Sequence, residues 1–276
     1  VSDIHLAPYH KTGLTLRNPV MPAAGCFGLG GEYQDLVDCE ALGAVVVGPV
    51  TARPCLGAPP PRARPMRGGV LLSTGVANPG INTLIRDRAP FWRHLSVPTI
   101  VHVTATRSAE VESCCQRLAG VDNVCGIELG LPSDVTQDET HDLVQSAARA
   151  AYQPLIVRLP LNRAHLLCTT AVDAGAHALT VAGPPRGTAW DASGEHTITG
   201  DLYGPLVLPL ALRALQRVAE HVAVPLIGCG GVHSTGEARA LLNAGAVAVQ
   251  IDSALWRDPA CIARIATQLA SSDPAG

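Results

Sequence analysis

A recurring punctuation of short apolar runs constrains this chain more than any other feature. Ala41-Leu-Gly-Ala-Val-Val-Val-Gly48, Asp173-Ala-Gly-Ala-His-Ala-Leu-Thr-Val181 and Asn243-Ala-Gly-Ala-Val-Ala-Val-Gln250 share one shape. Each ends a helix at glycine, which tolerates a left-handed cap, and enters a buried strand one or two residues later. A second shape alternates with it: Val97-Pro-Thr-Ile-Val-His-Val103, Gln153-Pro-Leu-Ile-Val-Arg-Leu159 and Val224-Pro-Leu-Ile-Gly228. There proline stops the helix and a β-rich run follows. With Asn18-Pro-Val-Met-Pro22 and Gly126-Ile-Glu-Leu129, the sequence predicts eight strands, near residues 18–22, 44–47, 99–103, 126–129, 155–159, 178–182, 225–228 and 247–251. Amphipathic stretches, among them 110–118, 140–151 and 207–221, predict helices between most of them. Near-continuous apolar strands alternating with helices make a parallel sheet covered by helices. Eight such units in roughly 250 residues close into an α/β fold of the (β/α)8 TIM-barrel type. An open doubly wound sheet is the alternative, but it calls for a glycine-rich turn after the first strand, and Ala23-Ala24-Gly25 is a poor dinucleotide fingerprint.

The 276 residues read as a single barrel domain, because no low-complexity linker divides them. The proline-rich run Cys55-Leu-Gly-Ala-Pro-Pro-Pro-Arg-Ala-Arg-Pro65 reads as part of an excursion loop, at about residues 52–75, over the barrel mouth. A formal net charge of −3 with no basic patch argues against nucleic acid and against anionic lipid as partners. Every apolar run is too short to cross a bilayer, and the first residues lack the charged and apolar regions of a signal peptide. A cytoplasmic, soluble protein is therefore expected. The nine cysteines show no C-x-x-C spacing, and the only close pair, Cys114 and Cys115, is adjacent. Neither a zinc site nor a disulfide framework is expected, so no metal is assigned.

In a barrel of this kind function lies at the C-terminal ends of the strands. Those ends are Ala23-Ala24-Gly25, Gly48, His102, residues 128–130, Arg158, Gly183, residues 228–231 and Asp252-Ser253. Pro225-Leu-Ile-Gly-Cys-Gly-Gly-Val232 runs a strand straight into a glycine turn, and Ala246-Val-Ala-Val-Gln-Ile-Asp-Ser253 follows as a strand ending in a polar turn. Two such ends in succession near the C-terminus predict a phosphate cradle, in which backbone N–H groups approach an anion that side chains would keep away. A tight barrel corner is the plainer reading of the same glycines.

Several segments, taken in order, resemble the class 1 dihydroorotate dehydrogenases. They are Asn18-Pro-Val-Met-Pro-Ala-Ala-Gly-Cys-Phe-Gly28 with Glu32-Tyr33, Leu56-Gly-Ala-Pro-Pro-Pro-Arg62, Gly75-Val-Ala-Asn-Pro-Gly80, Ile127-Glu-Leu129, Gly204-Pro205 and Ile227-Gly-Cys-Gly-Gly-Val232. The resemblance covers nearly the whole chain. It implies a barrel, FMN as cofactor, a homodimer and a place near pyrimidine biosynthesis. It puts Ala24 and Gly25 by the flavin ring, Gly204 in the cofactor site, and Gly230, Gly231, Asp252 and Ser253 around the FMN phosphate. Arg158 stands where the family has a lysine near the flavin N1–C2 carbonyl; the plainer reading is a strand-end arginine paired with a carboxylate. The family's Gly-Thr pair is here Asp252-Ser253, and a carboxylate repels a phosphate dianion by roughly 1 kcal/mol at ~4 Å even in water.

The substrate half departs further. Leu72, Gly130 and Gly183 stand for orotate-binding asparagines, Gly48 for an active-site lysine, and His102 for an asparagine on the third strand. The catalytic loop becomes Gly130-Leu-Pro-Ser-Asp-Val135, with Ser133 where the family has its cysteine base. Class 2 members use serine there, so Ser133 is a candidate base, set against a turn or N-cap serine. His102 is the second candidate, set against a pocket-filling role. Glu128 reads as a buried structural carboxylate, Cys26 and Cys229 as small fillers. Trp190 and His196 fall in the sixth βα loop, where specificity is open to rebuilding. The resemblance implies an FMN-dependent oxidoreductase acting on a CH–CH bond, and loss of so many polar partners predicts a substrate other than dihydroorotate. True dihydroorotate oxidation by an unusual site is a second reading. A catalytically inactive barrel serving as a structural or regulatory partner is the third. No iron–sulfur cysteine pattern is present, so electron transfer through a cluster would need a partner subunit.

Overall fold

A computed structural model describes residues 3–191 and 194–271. Eight parallel strands, β1 (Val20–Pro22), β2 (Val45–Val50), β3 (Thr99–Thr104), β4 (Val124–Gly130), β5 (Leu155–Pro160), β6 (Ala178–Gly183), β7 (Leu226–Cys229) and β8 (Ala248–Ile251), fall on the eight predicted runs. They pair in the order β1-β8-β7-β6-β5-β4-β3-β2. The two ends of that order meet through isolated bonds: Gly43 N–H donates to the Val20 carbonyl and Gly25 N–H to the Gly48 carbonyl, each at 2.8 Å. The sheet is thus a nearly closed (β/α)8 barrel.

The helices are α1 (Ile81–Trp92), α2 (Ser108–Leu118), α3 (Gln137–Ala150), α4 (Ala164–Asp173), α5 (Leu208–Ala219), α6 (Thr235–Asn243), the single turn α7 (Ala254–Arg257) and α8 (Cys261–Ser271). No helix is long and apolar enough to cross a membrane among the described residues. The first βα unit is irregular: between β1 and β2 the chain makes only a 3-10 turn, Cys39–Ala41.

Successive residues of a strand face opposite sides, and that alternation sorts the core into two shells. On β5, Val157 and Leu159 pack outward under the helices with Val47, Val101, Leu129 and Val181 of neighbouring strands. Ile156 points inward, where it meets Met21, Val46, Ile100, Ala178, Ile227 and Ala248 in an apolar floor. The floor is closed from below by a short N-terminal hairpin, Ile4–His5 with Thr15–Leu16, whose flanking Leu6, Ala7 and Leu14 are buried against it.

Two excursions build a cap at the other end. The hairpin Ala63–Met66 with Gly69–Leu72 rises after β2, inside the segment expected as an excursion loop. A second hairpin, Arg186–Trp190 with Thr197–Tyr203, rises after β6. Thr197–Tyr203 pairs antiparallel with Gly69–Leu72, which joins them into one four-stranded sheet.

Candidate active site

Above the apolar floor the barrel interior turns polar. Glu128, on β4, is 0% exposed and receives donors from three other strands. Thr180 Oγ1 on β6 and Gln250 Nε2 on β8 both donate to Oε1 at 2.7 Å, and His102 Nδ1 on β3 donates to Oε2 at 2.6 Å. Burial works against the carboxylate's charge, but the His102 hydrogen bond, the charges of His102 and Arg158 and the Thr180 hydroxyl outweigh it and pull its pKa down to about 2. An ionised carboxylate only accepts, so the Nδ1 proton of His102 is fixed toward Glu128 and Nε2 is the nitrogen left for chemistry. The imidazole fits because residue 130 is glycine: a Cβ there would stand 2.4 Å from His102 Nε2. The two departures at 102 and 130 are thus one packing solution.

Arg158, inward on β5, is 7% exposed. Its Nη1 donates to the Ala24 carbonyl at 3.5 Å and its Nη2 lies 3.4 Å from Cys229 Sγ, while Nε has no partner. Burial opposes its charge; the surrounding Cys229, Glu128 and Tyr203 outweigh burial and hold its pKa above the ordinary arginine range. Its paired-carboxylate reading is not what the geometry shows, since no carboxylate bonds to it directly.

His102 and Arg158, but not Glu128, line a cavity of about 610 Å³ at the C-terminal end of the barrel, under the cap. Ala24, Gly25, His102, Arg158 and Ser133 all border it, so five of the ten predicted site residues share one space. Gly48, Gly130 and Gly183 border it as well, and Leu72, Tyr203 and Arg186 close it from the cap. Ser133 sits in the loop before α3 and is not its N-cap. That place belongs to Thr136, which forms a capping box with Glu139. Trp190 is 61% exposed on the cap and His196 is exposed; neither borders the cavity. Cys26 and Cys229 are buried, and burial pushes the Cys229 thiol up to about 12. A separate hollow of about 580 Å³ lies between α5 and α6, lined by Pro209, Leu212, Gln216 and Asn243, away from every strand end. No group of three His, Cys, Asp or Glu able to hold a metal ion occurs among the described residues.

The other five predicted residues lie elsewhere. Gly204 is wedged against the Gly68–Gly69 turn of the cap, where a Cβ would meet the Gly68 carbonyl at 2.3 Å. Gly230, Gly231, Asp252 and Ser253 are buried and do not border the cavity. The cradle expected for phosphate holds the Asp252 side chain instead. Its Oδ1 accepts from Ser253 N–H at 2.6 Å, and its Oδ2 accepts from Gly231 N–H at 3.3 Å. Burial pushes the Asp252 carboxyl upward in pKa, and these two N–H groups oppose the rise. The residues present therefore do not fit a phosphate group at this end.

Thr180, Gln250 and Tyr203 were not anticipated as site residues. The signal was present for the first two: each is a lone polar residue inside an otherwise apolar strand, at an inward position of the alternation. Tyr203 carries none: it is half-buried on the cap strand and packs edge-on against Trp256, far along the chain, with ring centroids 5.0 Å apart.

A family profile described as dihydroorotate dehydrogenase matches residues 9–272. Relatives include the catalytic subunit of dihydroorotate dehydrogenase B (NAD(+)) from Geotalea uraniireducens, 34% identical over 270 residues, covering 92% of this chain and 88% of that protein. The subunit of the same description from Pelobacter propionicus is 36% identical over 270 residues, covering 92% and 89%. Among solved structures, that of DHODH in complex with ferulenol from Eimeria tenella superposes with a TM-score of 0.76, covering 97% of this chain and 83% of that one at 17% identity.

Proposed function

Since the chain belongs to the dihydroorotate dehydrogenase family of oxidoreductases, we propose that its barrel mouth binds a small anionic substrate on Arg158 and moves a proton through His102. The observation that carries this reading is the buried Glu128–His102 pair at 2.6 Å, in which Nδ1 is committed to the carboxylate and His102 lines the cavity. Glu128 holds the tautomer and would stabilise the imidazolium formed when Nε2 takes a proton. Arg158 supplies a fixed cation whose Nε–H is unpartnered, suited to a carboxylate or to a carbonyl oxygen that gains charge during the reaction. Ser133, by contrast, borders the cavity from a loop.

FMN, which the resemblance implies, would supply hydride transfer at a CH–CH bond. Ala24, Gly25 and Arg158 border the cavity where its ring would lie, but the closed phosphate end does not fit it. The lining carries the guanidinium groups of Arg62, Arg158 and Arg186, the His102 imidazole, hydroxyl groups and the carboxyl groups of Asp134 and Asp201, and no carboxamide side chain. That supports a substrate other than dihydroorotate, whose flat ring offers several donors and acceptors that amides would satisfy. The relatives are named as catalytic subunits, which supports a second subunit working beside this chain. Homodimerisation and a cytoplasmic location remain part of the same proposal.

The test is deuterium exchange from D2O into dihydroorotate and succinate, followed by NMR, with binding measured in parallel. Arg158→Gln is expected to weaken binding of the exchanging ligand by roughly 10-fold or more. His102→Asn should leave binding near the original while slowing exchange by about 100-fold or more. Exchange at an unchanged rate in His102→Asn overturns the role given to His102.

A further inference from the structure

The turn between β7 and α6 faces the start of α7 in the way an anion site does, yet its donors are committed. Gly231 N–H and Ser253 N–H both end on Asp252, and the Ser253 hydroxyl lies 3.2 Å from Asp252 Oδ1. The same hydroxyl lies 3.2 Å from His233 Nε2, which ties the flanking loop to the arrangement. Asp252 is 3% exposed and Ser253 6%, so these donors are buried along with the carboxyl they hold. From above, the first turn of α5 sits on the glycines: a Cβ on Gly231 would lie 2.4 Å from Leu208 N, and one on Gly230 would lie 3.2 Å from Val207 Cγ1. On the cavity side stands Tyr203, braced by Trp256 of α7.

We infer that Asp252 is a resident anion, which takes in this chain the place of a ligand phosphate and closes the β7–β8 cradle to phosphorylated molecules. Two anions cannot share so few N–H donors in a buried space, because each loses hydration and gains the other's repulsion. The consequence is a selectivity for ligands without a phosphate handle. FMN and riboflavin differ only in that group, so they are the natural probes. The inference does not rest on the proton-transfer reading of His102, and neither stands or falls with the other.

Fluorescence titration of FMN and of riboflavin into the intact chain tests it. The original sequence is expected to bind the two flavins within about 3-fold of each other. Asp252→Gly, which removes the carboxylate and leaves the backbone donors, is expected to favour FMN over riboflavin by at least 10-fold, and inorganic phosphate should compete. Asp252→Ser serves as a second, less disruptive variant with the same expectation, and circular dichroism melts establish that each variant is folded. A 10-fold or greater preference for FMN in the original sequence overturns the inference. So does a folded Asp252→Gly or Asp252→Ser protein that still fails to distinguish the flavins.

Discussion

Glu128 carries its charge with no contact with solvent, so the cost of placing it there falls on the three side chains that reach it from other strands. Its carboxyl titrates at about 2 rather than 4.5. A depressed carboxylate stabilises the fold fully above its unfolded pKa and loses that contribution as pH falls toward the folded value. The shift amounts to about 3 kcal/mol, lost between pH ~4.5 and ~2. Glu128→Gln should therefore lower stability at neutral pH by about 3 kcal/mol and flatten the pH dependence of urea unfolding in that window. Equal slopes for the two proteins between those pH values would contradict the assignment. At this scale the sequence was legible where position alone sets a role. His102 was visible as a polar strand end in an apolar run. Its partnership with Gly130 was not, because that depends on β3 and β4 lying in register, His102 opposite Glu128.

Elements were read most easily where glycine or proline marks their edges. Six of the eight barrel strands are marked this way, since a break followed by Val, Ile or Leu leaves few alternatives to a buried strand. Helix starts were harder. The apolar periodicity places the start of α3 at residue 140, three residues late, because the first turn is polar and its signal lies in the Thr136 and Glu139 capping box. Thr136→Ala should cost about 1 kcal/mol in urea unfolding with no change in ligand binding. A loss much below a few tenths of a kcal/mol would show that the box contributes nothing. The cap strands escaped sequence reading for a physical reason. Ala63–Met66 is mostly exposed and contains proline, so it lacks the apolar alternation of a half-buried strand. Its neighbouring strand Gly69–Leu72 finds its second partner far along the chain, with Leu72 opposite Asp201.

Across the whole molecule, barrel and cap divide the labour. The barrel supplies fixed groups at its strand ends, and two excursions from β2 and β6 meet over them as one sheet. Their junction is tight: a Cβ on Gly200 would lie 2.1 Å from the Leu72 carbonyl. Gly200→Val should separate the cap strands and weaken ligand binding by roughly 10-fold, about 1.4 kcal/mol, while the barrel still unfolds cooperatively. Full retention of binding would show that the cap plays no part in holding the ligand. The opposite end of the barrel has a different consequence. The hairpin Ile4–His5 with Thr15–Leu16 stoppers the floor with Leu6, Leu14 and Leu16, so the chamber has no way out through the bottom of the barrel. Whatever enters and whatever forms inside must both pass on the cap side, so arrival and departure depend on the same two excursions.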